Sequence, residues 1–565
     1  MNEKNNSIKM IIILTVIAVV VFGIIYGGIQ VTRNLGKSEK VVTTENAMET
    51  LKDLYSEITV NTITPRKVPV SLETTSLEES LPSIDKFPAQ VENTTDTYIE
   101  IFSSTEKSGE GKDGWLNDVA KAFNDAAIKV NDQTVSVKIR GIASGTGMDY
   151  IVSGKYIPDA FTPSNELWGE MMLSKGTDIT LVDERLTGNV PGVLLTKAKY
   201  DELIDKYGAI NLKVITEAVA NNEIAMGYTN PFASSTGLNF LVSTLYTFDE
   251  KNPLSEKAVQ GFETFQTNIP FVAFTTLQMR ESAKSGVLDG FIMEYQTYHN
   301  SPDLKSDYIF TPFGVRHDSP MYEIGNLSTE KKEILSKFIE FCKMEESQKL
   351  ASEYGFNNLN EYKPEIGNIN GDTITQAQKL WKEKKNGTND IVAVFVADIS
   401  GSMEGEPLNK LKESLLSGSQ FIGKDNSVGF VTFSTDVNIN LPIGKFDLNQ
   451  RSLFTGAVTD MQATGSTAMF DAIVVATKML MDEKANNPNA KLMLFVLSDG
   501  ETNQGYNFND IESMVEVLKI PVYTIGYNAN IKVLQNISSI NEAASINADT
   551  DDVIYKLQNL FNAQM

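Results

Sequence analysis

An unbroken apolar run of strand length at residues 391–397 (IVAVFVA) and a second, apolar after its first residue, at 491–497 (KLMLFVL) dominate the last third of the chain. Apolar residues without alternation mark a strand buried on both faces, as in a parallel sheet covered by helices. Further strands are expected at 427–433 and 522–526, and amphipathic helices at 408–421 and 553–561. Strand and helix alternating through short loops predict a doubly wound, Rossmann-like α/β sheet over 390–565. The middle of the chain repeats the alternation less densely. Strands are expected at 98–102 and 135–139, and Trp115, Leu116, Val119, Ala120 and Phe123 share one face of a helix over 115–127. Small hydroxyl residues sit at each strand exit, so 97–363 reads as a second α/β unit.

The first hundred residues have a different pattern. Residues 10–32 carry no charge and are rich in Ile and Val, and about 20 apolar residues cross a bilayer. A cleaved signal peptide has a shorter apolar core, about 7–15 residues, and no clear small-x-small cleavage site follows. The expectation is a transmembrane signal anchor behind a short tail, residues 1–9. Lys4 and Lys9 precede it while Arg33, Lys37 and Lys40 follow, so loop charge leaves its orientation open. Residues 33–96, rich in Thr, Ser and Glu with prolines at 65, 69, 82 and 88, read as a stalk or linker. A short helix over 44–58 and a wrap along the next domain through 81–87 are open within it. Residues 364–389 read as a connector.

Composition narrows the function. A net charge of −24 disfavours nucleic acid, because phosphate binding needs clustered Lys and Arg. The single cysteine, Cys342, lies in an apolar helical pattern and permits no intrachain disulfide. His299 and His317 are the only histidines, and no phosphate-binding loop or C-x-x-C pair occurs. A non-enzymatic protein is expected.

The candidate chemistry lies where the buried runs end. Asp398-Ile-Ser400-Gly-Ser402 follows the first run, with an oxygen on every second residue. Thr467 lies in Thr464-Gly-Ser-Thr467, and Asp499 follows the run 491–497. Few carboxylates, several hydroxyls and no Cys or His make an oxygen-only site suited to Mg²⁺. The three segments resemble the von Willebrand factor A domain with its metal-ion-dependent adhesion site. The resemblance implies that Asp398, Ser400, Ser402, Thr467 and Asp499 surround one Mg²⁺ (or Mn²⁺ or Ca²⁺). It also implies that a partner protein's Asp or Glu carboxylate completes the coordination.

The strand exits of 97–363 resemble bacterial extracellular solute-binding proteins, two-lobed folds that close over a ligand. The residues carrying this are Ser103 and Ser104, Ser144 and Thr146, Asn230, Ser234 and Ser235, and Tyr295. The helix start at Ser234-Ser235 offers free N–H groups and a positive dipole end, so anions are among the small solutes expected. Solute-binding proteins of this kind work outside the membrane, which implies a single-pass protein of the cell membrane with its bulk extracellular. The expected function is a membrane-anchored binding protein that captures a partner through the metal and a solute in the cleft. A transport component, or an adhesin with the solute-binding unit as spacer, are the alternatives.

Overall fold

The computed structural model describes residues 43–70, 76–273, 288–364, 366–387, 389–500, 502–527 and 545–548, with isolated positions between and beyond them. The expected anchor at 10–32 lies outside the described residues. Among the described residues, no helix is long and apolar enough to cross a membrane.

Ile391–Asp398 is the central strand of a seven-stranded sheet. Ser427–Phe433 and Lys491–Ser498 flank it in parallel, and Val522–Tyr527 and Ser545–Ala548 extend the far side. Val437–Lys445 returns antiparallel on the near side. The lack of alternation in the sequence has a simple cause. Ile391, Ala393, Phe395 and Ala397 pack into one core with Phe454 and Phe495, while Val392, Val394 and Val396 pack into another against helix Met469–Asn486. Both faces are covered, so each parity must be apolar. From the expected closing helix, Leu557, Leu560 and Phe561 are buried in the first core.

The stretch expected as a stalk is folded onto both domains. Helix Thr44–Glu57 buries Leu51 in the second core, with Met48, Leu54 and Ile58 packed beside it. Val60–Thr62 then joins the sheet edge parallel to Val437–Lys445. Ser452 Oγ donates to the Val68 carbonyl at 2.8 Å, and Arg66 holds Asp460 at 2.9 Å. Further on, Leu81 is buried, the Tyr150 hydroxyl donates to the Pro82 carbonyl at 2.7 Å, and Ala89–Val91 pairs with Ser136–Gly141. Helical spacing at 48, 51, 54 and 58 gave the segment an apolar stripe, and a covered stripe is more stable than an exposed one.

The middle of the chain forms two lobes. The first is a six-stranded sheet that includes Tyr98–Ser103, Ser136–Gly141, Ala160–Thr162 and Met321–Ile324; the second is five-stranded, with Met226–Thr229, Gly290–Glu294, Pro191–Thr196 and Tyr308–Pro312. The chain crosses between them twice, near 184–190 and 313–320. The two crossings pair, Asn189 and His317 exchanging backbone hydrogen bonds of 3.0 Å each way. Two linked crossings are a hinge. Both lobes alternate strands and helices.

The connector is mostly one helix, Gly371–Lys384, laid across both lobes. At its start Gly371 lies so close to helix Leu167–Ser174 of the first lobe that a Cβ would sit 2.0 Å from the Glu170 carbonyl. Further along, Gln378 donates to the Pro231 carbonyl at 2.8 Å and buried Trp381 to the Tyr228 hydroxyl at 2.6 Å, both in the second lobe. Strand Ile391–Asp398 begins seven residues after the helix ends. At the junction the Lys491 ammonium donates to the Ile269 carbonyl at 3.2 Å, joining the second lobe to the C-terminal sheet.

Candidate functional site

Parallel strands end together, so the loops after Ile391–Asp398 and Lys491–Ser498 meet at one edge. Asp398 is fully buried there. Its Oδ1 accepts from the Ser400 N–H at 2.8 Å and its Oδ2 from the Ser498 hydroxyl at 2.6 Å. The Ser400 and Ser402 hydroxyls stand 3.0 Å apart. Ser400 is buried and Ser402 exposed, so the pair runs from the interior to the surface. The loop carrying Thr467 is pinned to the first loop, with Gly401 N donating to the Gly465 carbonyl at 3.1 Å and Thr464 N to the Ile399 carbonyl at 2.8 Å. Asn503 fixes Thr467 itself, its Oδ1 accepting from the Thr467 N–H at 2.9 Å.

Burial pushes the Asp398 carboxyl up to about 6; its hydrogen bonds from Ser400 and Ser498 oppose this, and the like charge of Asp499 adds to it. Two carboxylates thus sit within electrostatic reach of each other beside three hydroxyl residues. A divalent cation there would relieve that arrangement, because it would offset the repulsion and the lost hydration together. Asp398, Ser400, Ser402, Thr467 and Asp499 are the residues that could hold one. Asn503 and Ser498 were not anticipated. Both act by orienting backbone or carboxylate, a role that depends on loops meeting in space.

The second candidate site is the space between the lobes, a cavity of about 450 Å³ lined from the first lobe by Ser104, Glu106, Asp113 and Ser144 and from the second by Ser234, Ser235, Thr236 and Glu294. The lobes touch around it. Trp168 Nε1 donates to the Ser235 hydroxyl at 2.8 Å and Gln296 Nε2 to Asp113 at 3.1 Å. A Cβ on Gly145 would lie 2.0 Å from the Phe232 carbonyl across the gap. The clamshell is closed.

Of the residues singled out in the sequence, Ser104, Ser144, Ser234 and Ser235 line the cavity; Ser103, Thr146, Asn230 and Tyr295 do not. Ser103 is the last residue of its strand and fully buried. The buried Asn230 turns its Oδ1 back to accept from the Phe232 N–H at 2.9 Å, closing the loop. Thr146 is buried in helix Ser144–Ser153. The Tyr295 ring packs edge-on against Phe310, 5.1 Å between centroids, and its neighbour Glu294 takes the cavity instead.

His317, at the hinge, stands behind Glu294. Its Nδ1 donates to Glu294 Oε1 at 2.6 Å, while Asn165 and Asn239 direct amide nitrogens at Nε2 at 2.9 and 3.1 Å. Both ring nitrogens are spent in a buried network, which positions the hinge and Glu294 against each other. Buried Cys342 has its thiol pushed up in pKa by burial.

Residues 391–563 match the family model for the von Willebrand factor type A domain. This segment is a von Willebrand factor A domain. Within it the chain is 30% identical over 173 residues to inter-alpha-trypsin inhibitor heavy chain H3 of Bos taurus, covering 28% of this chain and 19% of that protein. The chain thus spans about a fifth of the length of that curated relative. Among solved structures it is similar to a von Willebrand factor type A protein from Catenulispora acidiphila, at 19% identity and TM-score 0.29 over 31% of this chain and 43% of that one. It is also similar to a periplasmic thiamin binding protein, at 10% identity and TM-score 0.39 over 52% of this chain and 99% of that one.

The von Willebrand factor A domain and the two-lobed unit share one continuous backbone path through the connector helix. The cavity's acidic residues were the larger omission from sequence. Glu106, Glu110 and Asp113 follow Ser104 in a dense polar loop, and their number alone was visible there.

Proposed function

We propose that the chain is a two-headed binding protein whose von Willebrand factor A domain captures a partner protein through a divalent cation, while the interlobe cavity binds a small solute. The observation that carries the reading is the meeting of Asp398, Asp499, Ser400 and Ser402 at the ends of adjacent parallel strands. The first two supply charge and the hydroxyls supply neutral oxygens, with Thr467 on the adjoining loop. Such a set leaves Mg²⁺ electrophilic and open to an incoming Asp or Glu carboxylate. Residues 10–32 would tether the chain to the cell membrane with both heads outside.

Helix Gly371–Lys384 supports coupling between the heads. It contacts both lobes and leads directly into the central strand of the von Willebrand factor A domain, so lobe movement at the hinge would displace that strand's start. This favours a sensor over a solute-delivering transport component, for which no such strap is needed. Calorimetric titration of Mg²⁺ into the full chain tests the metal reading. Saturation near one ion per chain, lost in Asp398→Ala, is expected; equal heats from both chains would refute it.

A further inference from the structure

We propose that the interlobe cavity takes an organic cation bearing primary ammonium groups, with Glu294 as the carboxylate that pairs with it. This deepens the reading of the cavity as a solute site and rests on it. It also reverses the expectation that anions are among the ligands.

The lining decides the sign. Glu106, Glu110, Asp113 and Glu294 face the cavity, and among the described residues no Lys, Arg or His lines it. The one cation close by, Lys107, is fully buried beneath the first lobe's loop. Its ammonium donates to the Ser104 hydroxyl and to the Thr162 and Pro163 carbonyls, the latter two at 2.8 and 3.3 Å, with Glu106 at 3.6 Å. Lys107 therefore offsets Glu106, acts more weakly on Glu294, and has no donor left for a ligand. The remaining carboxylates would repel an anion across a low-dielectric gap.

Glu294 supplies an independent observation. Only 3% of it is exposed, and Oε1 accepts from Thr236 Oγ1 at 2.7 Å and from His317. Its Oε2 is buried and has no hydrogen-bond partner among the described residues. A buried carboxylate oxygen left unsatisfied is costly, and this one belongs to a side chain on the cavity wall. A ligand ammonium would complete it.

Size and lining then select among cations. A volume of about 450 Å³ suits a small organic molecule, since such pockets run about 300–1,000 Å³. Among the described residues no aromatic side chain lines it, whereas hydroxyls of Ser104, Ser144, Ser164, Ser234 and Ser235 do. Quaternary ammonium groups are held by aromatic faces; N–H donors are held by oxygens. The lining has oxygens.

Spermidine titrated into the full chain by calorimetry is the test, with choline, sulfate and Mg²⁺ as comparison ligands. Saturable spermidine binding is expected, weakening with salt, with Glu294→Gln lowering affinity at least tenfold. Glu110→Gln, at the exposed rim, should lower it a few-fold without altering the melting temperature. Sulfate binding in place of spermidine would keep the cavity as a solute site and overturn its charge. Choline binding as tightly as spermidine would overturn the N–H assignment. Mg²⁺ heat that survives Asp398→Ala and disappears in Glu294→Gln would make the cavity a metal site. No heat from spermidine, choline or sulfate would remove the solute reading altogether, whatever Mg²⁺ does at the Asp398 site.

Discussion

Replacing Asp398 by Asn should stabilise the metal-free protein and abolish the further stabilisation that Mg²⁺ gives wild type. Burial raises this carboxyl from 3.8 to about 6. A carboxyl raised on folding binds its proton more tightly in the folded chain than in the unfolded one. Its cost to stability is absent below pH 3.8, grows as pH climbs to about 6, and is constant above. At neutral pH the cost is roughly 3 kcal/mol, from about 1.36 kcal/mol per unit of pKa shift. Asn removes the charge, keeps an acceptor for the Ser400 N–H, and lets the Ser498 hydroxyl turn to accept from its amide. In EDTA at pH 7.5 the variant should melt higher, by roughly 6–12 °C at about 2–4 °C per kcal/mol for a domain of this size. Mg²⁺ at a hundredfold over its dissociation constant should then stabilise wild type by about 2.7 kcal/mol, leaving the Asn chain unmoved. Differential scanning calorimetry of both chains in EDTA and in Mg²⁺ reads this directly. An Asn variant that melts lower in EDTA, or gains as much from Mg²⁺ as wild type, would refute the reasoning.

Thr467→Ala leaves the loop's backbone bonds to Asn503 intact, so the EDTA melting temperature should move little while the Mg²⁺ midpoint weakens about tenfold, the loss of one oxygen contact of ~1.4 kcal/mol; a large drop in EDTA stability would point to a folding role. Gly145→Ala drives a Cβ into the Phe232 carbonyl across the lobes. Overpacking of this kind costs about 1–3 kcal/mol, so spermidine affinity should fall roughly 5- to 150-fold, and unchanged affinity would show that closure does not accompany binding. Leu51→Ala removes a fully buried side chain from the von Willebrand factor A domain core and should cost about 2–5 kcal/mol. A segment starting at residue 389 should be destabilised further, because it lacks helix Thr44–Glu57 entirely; equal stability of the long and short chains by urea unfolding would contradict this packing.

Several features were legible in the chain because they depend on local sequence. Residues 391–397 and 491–497 announced strands covered on both sides. The hydroxyl-rich exits placed Asp398, Ser400 and Ser402 on one loop, and Ser104, Ser144, Ser234 and Ser235 at the interlobe space. Parity on a strand and position before a helix are short-range properties. Residues 44–58 gave an amphipathic stripe, yet nothing near them said what would cover it. The answer lay some 400 residues downstream, in helices Met469–Asn486 and Phe508–Leu518.

The sequence by itself determined the α/β class of both units and the von Willebrand factor A segment, since each follows from residue type and period along the chain. Tertiary structure alone decided that the supposed stalk wraps both domains and that the connector helix straps the two lobes. It also decided that Glu294, rather than Tyr295, faces the cavity beside Glu106 and Asp113. Those outcomes depend on which surfaces meet across long separations. Burial then sets their energetics, turning an ordinary carboxylate into one that lacks a partner or holds its proton to about pH 6.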